Sequence, residues 1–310
     1  MERHWGFFTA HRIPVEVRAG QAPVVDARVQ LLDSAQRVVW QTRTDRRGNA
    51  SLFPDLFEKA GGPFSIVVST PTGTTTVAQV DASTEAPIQV QATAAPPRNG
   101  LDVMFVIDTT GSMGDELSYL QAEVGSVIER VQQKHGQQLE VRTSVNFYRD
   151  HGDAYLVRPF PFTTRVADAA RQLADQAPGG GGDFPEAVDE ALDDALNHHT
   201  WSESARARLL FLVLDAPPHH EPQVLDRLHT LTLKAAEQGI RVIPVVASGI
   251  DKPTEFLMRQ MAVTTGGTYL FLTDHSGIGG AHLKPTTGPT EILHLNDLLV
   301  RVINDQLDAR

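Results

Sequence analysis

Four near-continuous apolar runs in the C-terminal two thirds of the chain constrain its fold more than any other feature. They occupy 101–107, 141–147, 209–214 and 242–247. Uninterrupted apolar runs of this length are typical of central strands in a parallel sheet that is covered on both faces. Helical patterns follow or separate these runs, near 113–134, 165–176, 185–197, 223–238, 254–263 and 291–307. The alternation predicts the α/β class, with a doubly wound and mainly parallel sheet.

The first hundred residues follow a different pattern. Short segments rich in β-branched residues, separated by turn-forming residues, occupy 13–17, 27–32, 38–42, 64–68, 75–80 and 88–91. They predict a small antiparallel β-sandwich. Small residues and prolines at 92–100 favour a domain boundary, so we expect a β-sandwich domain at 1–95 and an α/β domain at 100–310. Few contacts are expected across such a linker, and 100–310 is expected to fold alone.

Charge and composition narrow the classes of function. Residues 1–99 carry 10 basic and 9 acidic side chains, so the net charge of −11 comes from the second region. An acidic domain repels phosphate backbones, and no nucleic-acid partner is expected. The chain has no cysteine, which excludes disulfides and zinc–thiolate sites. No apolar run approaches the ~18 residues of a membrane span. The first residues lack the apolar core of a signal peptide, so the expected location is the cytoplasm, or the cell surface if a leader was removed.

A set of oxygen-bearing side chains follows the first apolar run. Asp108, Thr110 and Ser112 alternate along the chain, so an extended loop can direct all three towards one point. A carboxylate and two hydroxyls are hard donors, which suit Mg²⁺, Mn²⁺ or Ca²⁺ better than softer metals. Alternatively, these residues cap the helix that is predicted to begin near Met113. Ligands of doubly wound sheets bind beyond the carboxyl ends of the strands, where this loop lies.

The spacing Asp108-x-Thr110-x-Ser112 resembles the metal-ion-dependent adhesion motif of von Willebrand factor A-type domains. Two further segments are similar to that family: a buried strand that ends in Asp215, and the segment 179–187, which reads Gly-Gly-Gly-Gly-Asp-Phe-Pro-Glu-Ala. The resemblance implies a Rossmann-like fold in which Asp215 supplies the distal carboxylate of the metal site. More loosely, 27–54 resembles carboxypeptidase-regulatory-like and immunoglobulin-like modules, which is a hint about fold alone.

The chain departs from the family pattern at one position. The usual threonine of the third metal-site loop is replaced by Gly182, which has no side chain. The neighbouring Asp183 is one candidate for the missing oxygen. It is equally suited to be the N-cap of a helix that begins at residues 184–185, where a proline at the first helical position is favoured. Both interpretations of Asp183 remain open at this point.

Other candidate sites are weaker. His151, His219, His220, His275 and His282 match no known zinc spacing, and histidines in such loops are commonly just exposed. Asp150 and Asp153 follow the second apolar run and are expected at the fringe of the metal site, with Arg149 paired to them. Residues 273–276 are expected to border the same face. The glycine segment 179–182 lacks the third glycine of a dinucleotide fingerprint and the lysine of a P-loop.

The expected function is therefore divalent-cation-dependent protein binding, for adhesion or as a scaffold, without catalysis. The site residues are Asp108, Thr110, Ser112, Asp183 and Asp215, the cofactor is Mg²⁺ (or Mn²⁺ or Ca²⁺), and the partner is a protein that offers an acidic side chain to the metal. One alternative is an intracellular regulatory or chaperone-like subunit that works with an AAA+ ATPase. A metal-dependent hydrolase is less favoured, because the sequence shows no compelling general base near the metal.

Overall fold

The structure is a computed structural model that describes residues 1–59, 62–93, 98–136, 138–247, 249–272 and 294–308. The predicted border segment 273–276, His275, His282 and the beginning of the last predicted helix at 291–293 lie outside the described residues. So does part of the predicted linker, at 94–97.

The N-terminal region forms two β-sheets, as its β-branched segments predict. In one sheet the order is β2-β1-β5, with β8 paired in parallel to β1, and in the other it is β4-β3-β6-β7, with antiparallel pairs throughout. The parallel pair departs from the predicted all-antiparallel arrangement. The sequence patterns did not predict the short helix α1 or the strands β2 and β5, which are four, two and four residues long. The elements are α1 (Glu2–Trp5), β1 (Ile13–Ala19), β2 (Ala22–Pro23), β3 (Arg28–Leu32), β4 (Val38–Arg43), β5 (Asn49–Leu52), β6 (Phe64–Thr70), β7 (Gly73–Val80) and β8 (Ile88–Gln91).

The second region is an α/β unit built on one six-stranded sheet. The strand order is β11-β10-β9-β12-β13-β14, and every pair is parallel except β10 with the short edge strand β11. The α/β class with a mainly parallel sheet is confirmed. The elements are β9 (Gly100–Asp108), α2 (Gly114–His135), β10 (Glu140–Tyr148), β11 (Val157–Arg158), α3 (Val166–Ala174), α4 (Val188–Asp193), β12 (Ala205–Leu214), α5 (Pro222–Gln238), β13 (Ile240–Val246), α6 (Lys252–Thr265), β14 (Leu270–Phe271) and α7 (Leu295–Leu307).

Helices cover both faces of this sheet, which explains its continuous apolar strands. Successive side chains of β9 point to opposite faces. Val103 and Phe105 pack with α2, α3 and α7, whereas Met104 and Val106 pack with α4, α5 and α6. Both sets must therefore be apolar, and alternation with polar residues is lost. Within the described part of the chain, no helix is long and apolar enough to cross a membrane.

The two regions share an extensive interface, and the expectation of few contacts between them is wrong. Buried side chains of the N-terminal sheets belong to the same hydrophobic core as α4, α5 and α6. A buried ion pair adds to it: Arg208 on β12 donates to Asp26 at 2.9 Å, and Arg98 and Arg43 approach the same carboxylate at 2.7 and 3.3 Å. A proline-rich linker indicates a boundary between two regions of the chain. It does not indicate whether the surfaces of those two regions pack together.

Candidate metal centre

The predicted site lies at one edge of the parallel sheet, where three strands end together. In the register of the sheet, Tyr148 at the end of β10 pairs with Asp108 at the end of β9, and Val213 of β12 pairs with Ile107. The loops that follow β9, β10 and β12 therefore leave the sheet side by side. This is the edge at which ligands of such sheets bind.

Asp108 is fully buried beneath this edge. Its Oδ1 accepts hydrogen bonds from the backbone N–H of Thr110 at 2.8 Å and from the Thr110 hydroxyl at 2.7 Å. Its Oδ2 is also buried and receives no hydrogen bond from any residue that the structure describes. The pKa of Asp108 is raised to about 7, mainly by burial and also by the charges of Asp215 and Asp150, against the lowering effect of the two Thr110 hydrogen bonds. Within the described part of the chain, no cationic side chain lowers the pKa of this carboxylate.

Asp215 follows β12 and lies close to the first loop. The hydroxyl of Ser112 hydrogen-bonds to its carboxylate, but burial outweighs this contact and raises the pKa of Asp215. The Oδ1 of Asp215 is buried and has no donor within the described part of the chain. Neither Thr110 nor Ser112 caps the helix α2, because the N-cap of α2 is Met113 and Thr110 makes no side-chain capping bond. The capping alternative for these two residues is therefore wrong.

A cleft of about 630 Å³ opens above these residues. Its walls are the loop after β9, the glycine segment 179–182 and the loop after β12. Among the side chains that line it are Thr110, Ser112, Asp183, Phe184, Glu186 and Asp215. Phe184 is 49% exposed, which makes it one of a small number of large apolar side chains at the surface of the described chain. The cleft thus combines an acidic floor with one apolar contact at its rim.

Glu186 is a residue to which the sequence analysis assigned no role. Its backbone N–H donates to the carbonyl of Pro217 at 2.9 Å, in an isolated parallel bridge that places its side chain in the cleft. Its Oε2 is buried without a donor among the described residues. Burial, followed by the charges of Asp108 and Asp150, raises the pKa of Glu186 to about 8. The motif around Asp183 already contained Glu186, but only the fold shows that this carboxylate faces the cleft.

The glycine segment closes against the first loop. The N–H of Gly181 donates to Oδ2 of Asp153 at 2.9 Å, and the N–H of Gly111 donates to the carbonyl of Gly180 at 3.2 Å. Gly181 has a φ of +73°, and a Cβ atom at this position would lie 3.0 Å from Glu186 and 3.1 Å from Thr110. Both the backbone conformation and the close approach require glycine here. Asp153 is therefore a residue that holds this wall in place at the fringe of the site.

Asp183 lies at the mouth of the cleft and is exposed. It is not a helix cap, because α4 begins at Val188 with Ala187 as its N-cap. The physical reason is the bridge at Glu186, which keeps the backbone extended beyond the predicted first turn. The helix-cap interpretation of Asp183 is wrong, and its role as a metal ligand stays a prediction.

A second group of possible ligands lies beside the cleft. One ligand atom each from Asp150, His151 and His219 lies within 4.8 Å of the other two. His219 Nε2 and Asp150 Oδ1 are 2.7 Å apart. His220 is not part of this group, since its ring stacks on that of His4.

Arg149 does not pair with Asp150 or Asp153 as expected. Its guanidinium lies 4.7 Å from the centre of the Tyr155 ring and donates to the carbonyl of Ala177 at 2.8 Å. The aromatic ring and the carbonyl draw Arg149 away from the cleft, so the nearby carboxylates lack this cation.

Comparison with known proteins agrees with the α/β fold of the second region. One relative is a protein of Acanthamoeba polyphaga mimivirus whose name describes it as a putative ariadne-like RING finger protein. It is 26% identical over 193 residues, which are 56% of this chain and 18% of that protein, so the chain spans less than a fifth of the relative's length. A family model described as "von Willebrand factor A domain" matches residues 102–280, more than half of the chain. The chain therefore belongs to the von Willebrand factor A domain family.

Proposed function

We propose that this protein is a divalent-cation-dependent binding module for a protein partner, with its metal held by Asp108, Thr110, Ser112 and Asp215. The observation that carries the proposal is the pair of buried carboxylate oxygens, Oδ2 of Asp108 and Oδ1 of Asp215, that lack a donor among the described residues. Ionised groups in this position are costly unless they are paired or coordinate a metal. Membership of the von Willebrand factor A domain family supports an interaction module rather than a catalyst.

The proposed ion is Mg²⁺ or Mn²⁺, with Ca²⁺ as an alternative. All four side chains offer oxygen, and hard cations prefer oxygen donors. Asp183 at the mouth of the cleft is the proposed source of a further oxygen, in place of the threonine that Gly182 cannot supply. When bound, the ion supplies an open coordination position for an acidic side chain of the partner.

Other contacts of the site residues orient the metal ligands and provide surface for a partner. Thr110 holds Oδ1 of Asp108 by two hydrogen bonds, which leaves Oδ2, without a donor among the described residues, available to an ion. Ser112 orients the carboxylate of Asp215. At the rim, the exposed ring of Phe184 provides apolar surface that a partner can cover. An aromatic contact next to a charged anchor is a common arrangement in protein interfaces.

Thermal unfolding with Mg²⁺ or Mn²⁺ tests the metal site directly. A ligand that binds only the folded state stabilises it by about 2.7 kcal/mol when its concentration is 100 times the dissociation constant. We expect millimolar Mg²⁺ to raise the melting temperature of the parent protein relative to EDTA, and Asp215→Asn to lose most of this rise. The control is Asp175→Asn, an exposed aspartate at the end of α3, which should keep it. An equal rise in the parent protein and Asp215→Asn would contradict the assignment.

A further inference from the structure

The cleft and its surroundings hold more negative charge than one divalent ion offsets. No lysine or arginine is among the described residues that line the cleft, and Arg149 contacts Tyr155 instead. An ion held by Asp108 and Asp215 would still leave Glu186 near the charges of Asp150 and Asp153, which raise its pKa. The acidic residues that act on this region are Asp108, Asp150, Asp153, Asp183, Glu186 and Asp215.

The group formed by Asp150, His151 and His219 is the place where a second cation fits. Asp150 is buried, and its backbone N–H donates to Asp153 Oδ2 at 3.2 Å, which fixes the loop after β10. His219 follows two prolines in the loop after β12, and the bridge from Pro218 to Glu186 anchors that loop. Backbone hydrogen bonds therefore fix the loops that carry two of the three ligands, Asp150 and His219.

The spacing of the ligand atoms is compatible with coordination after a small closure. The three atoms lie within 4.8 Å of one another. In tetrahedral zinc coordination with ligands at about 2.1 Å, neighbouring ligand atoms are about 3.4 Å apart. His151 therefore has to come closer, and the 2.7 Å contact between His219 and Asp150 has to open slightly. His151 is exposed, so a rotamer change of this surface side chain supplies the larger part of the adjustment.

We propose that Asp150, His151 and His219 form a second metal site, selective for an ion of the zinc class. Two imidazoles and one carboxylate suit such an ion, whereas the oxygen-only site at Asp108 suits Mg²⁺. With three protein ligands, the fourth position belongs to water or to a partner. The two sites thus differ in the chemical class of ion that each selects.

A simple ion pair explains only part of the geometry. The 2.7 Å contact between His219 and Asp150 needs no metal. A comparable pair exists elsewhere in the chain, where His11 and Asp55 are also 2.7 Å apart, without a second histidine among the described ligand groups. The pair of Asp150 and His219 differs from the pair of His11 and Asp55 by the presence of His151, whose ring centre lies 5.6 Å from that of His219.

An ion at this position has a consequence for the partner, and this consequence rests on the proposed function. It adds two positive charges beside the cleft, next to Glu186 and Asp153. An acidic side chain that approaches the first ion then meets less repulsion. It also ties the loop after β10 to the loop after β12, and the loop after β12 is one wall of the cleft. Zinc is therefore expected to strengthen the binding of an acidic partner.

Calorimetric titration of Zn²⁺ into the untagged full-length chain tests the second site. Millimolar Mg²⁺ in the buffer fills the oxygen-only site, so that the titration reports the histidine group. We expect the parent protein to bind one Zn²⁺ per chain. In His151→Ala and in His219→Gln the affinity for Zn²⁺ should fall by at least about tenfold, because each variant loses one of the three protein ligands. The exposed position of His151 makes its variant safe for folding.

Two control variants make the outcome decisive. His11→Gln removes the matched ion pair and should leave the Zn²⁺ affinity unchanged. Asp108→Ala should also keep Zn²⁺ binding while it loses the stabilisation by Mg²⁺, so failure of the second site and failure of the proposed function give different results. Absence of stoichiometric Zn²⁺ binding in the parent protein would overturn the proposal. The same holds for an unchanged affinity in His151→Ala, or for a loss in His11→Gln as large as in His219→Gln.

Discussion

Replacement of Asp108 by asparagine is expected to stabilise the metal-free protein at high pH, although Asp108 is the central ligand of the proposed site. A carboxyl group whose pKa is raised by folding binds its proton more tightly in the folded state than in the unfolded state. With a pKa of about 7 in the folded protein and 3.8 as the ordinary value, the metal-free protein loses stability as the pH rises from about 4 to 7. At pH 8 the full cost is present.

The magnitude follows from this shift. At 1.36 kcal/mol per pKa unit, a shift of about three units costs about 4 kcal/mol at pH 8. The amide side chain of the Asp108→Asn variant would keep the oxygen that accepts both hydrogen bonds of Thr110. Its N–H₂ group would replace the buried Oδ2, at a cost of about 1–3 kcal/mol if it finds no acceptor. The net expectation for Asp108→Asn is a gain of about 1–3 kcal/mol at pH 8.

Urea unfolding in EDTA and in excess Mg²⁺, at pH 5 and at pH 8, tests the expectation. In EDTA the difference between Asp108→Asn and the parent protein should favour the variant at pH 8 and should vanish or reverse at pH 5, where Asp108 is protonated. In Mg²⁺ at pH 8 the parent protein should gain stability and the variant should not. The comparison between two proteins at the same pH cancels titrating groups that do not interact with Asp108, such as His4. Glu186 does not cancel, because the charge of Asp108 raises its pKa, and relief of this repulsion adds to the gain of the variant at pH 8. A variant that is less stable than the parent protein in EDTA at both pH values would refute the reasoning.

Three further changes test other parts of the structure. Gly181→Ala should lower the free energy of unfolding by at least about 1–2 kcal/mol, measured by urea unfolding, because alanine is strained at a φ of +73° and its Cβ meets Thr110; an unchanged value would contradict the glycine requirement. Asp26→Asn should cost about 3–5 kcal/mol by the same measurement, because Arg208 keeps its charge in a buried interface, and asparagine tolerates the φ of +57°; a neutral result would mean that the ion pair is solvated. Asp183→Asn should weaken Mg²⁺ affinity in a calorimetric titration if Asp183 is a ligand, and unchanged affinity would assign that position to water.

The sheet and the position of the site could be predicted from the sequence because both depend on local patterns. Continuous apolar runs identify buried parallel strands, and the first residues after such strands must lie at the ligand-binding edge. Asp108, Thr110, Ser112 and Asp215 follow from this rule. In the structure Thr110, Ser112 and Asp215 line one cleft, and Asp108 is buried beneath it, hydrogen-bonded to Thr110. The division of the chain into a β-rich and an α/β region likewise depends only on the periodicity of hydrophobic residues along the sequence.

The remaining features depend on contacts between distant segments. The start of α4 was predicted too early, because the bridge between Glu186 and Pro218 extends the backbone where the local sequence favours a helix. The role of Glu186 is invisible for the same reason, since the bridge is what turns its side chain into the cleft. The grouping of His151 with His219 requires two loops that are far apart in sequence but follow neighbouring parts of one sheet edge. No spacing rule along the chain contains this information.

The interface between the two regions reaches the loop that frames the proposed metal sites. The indole N–H of Trp5 donates to the carbonyl of Pro253 at 2.7 Å, which docks the N-terminal segment on α6. The ring of His4 stacks on that of His220 at 3.9 Å, and Nε2 of His220 lies 2.9 Å from the carbonyl of His4. His220 directly follows His219, so the N-terminal segment supports the loop that carries one proposed ligand. The substitution His4→Ala in the chain of residues 1–310 would weaken this support and leave the shared core in place. The affinity of this variant for Zn²⁺ should therefore fall more than its affinity for Mg²⁺, because the loop after β9 has its own hydrogen bonds.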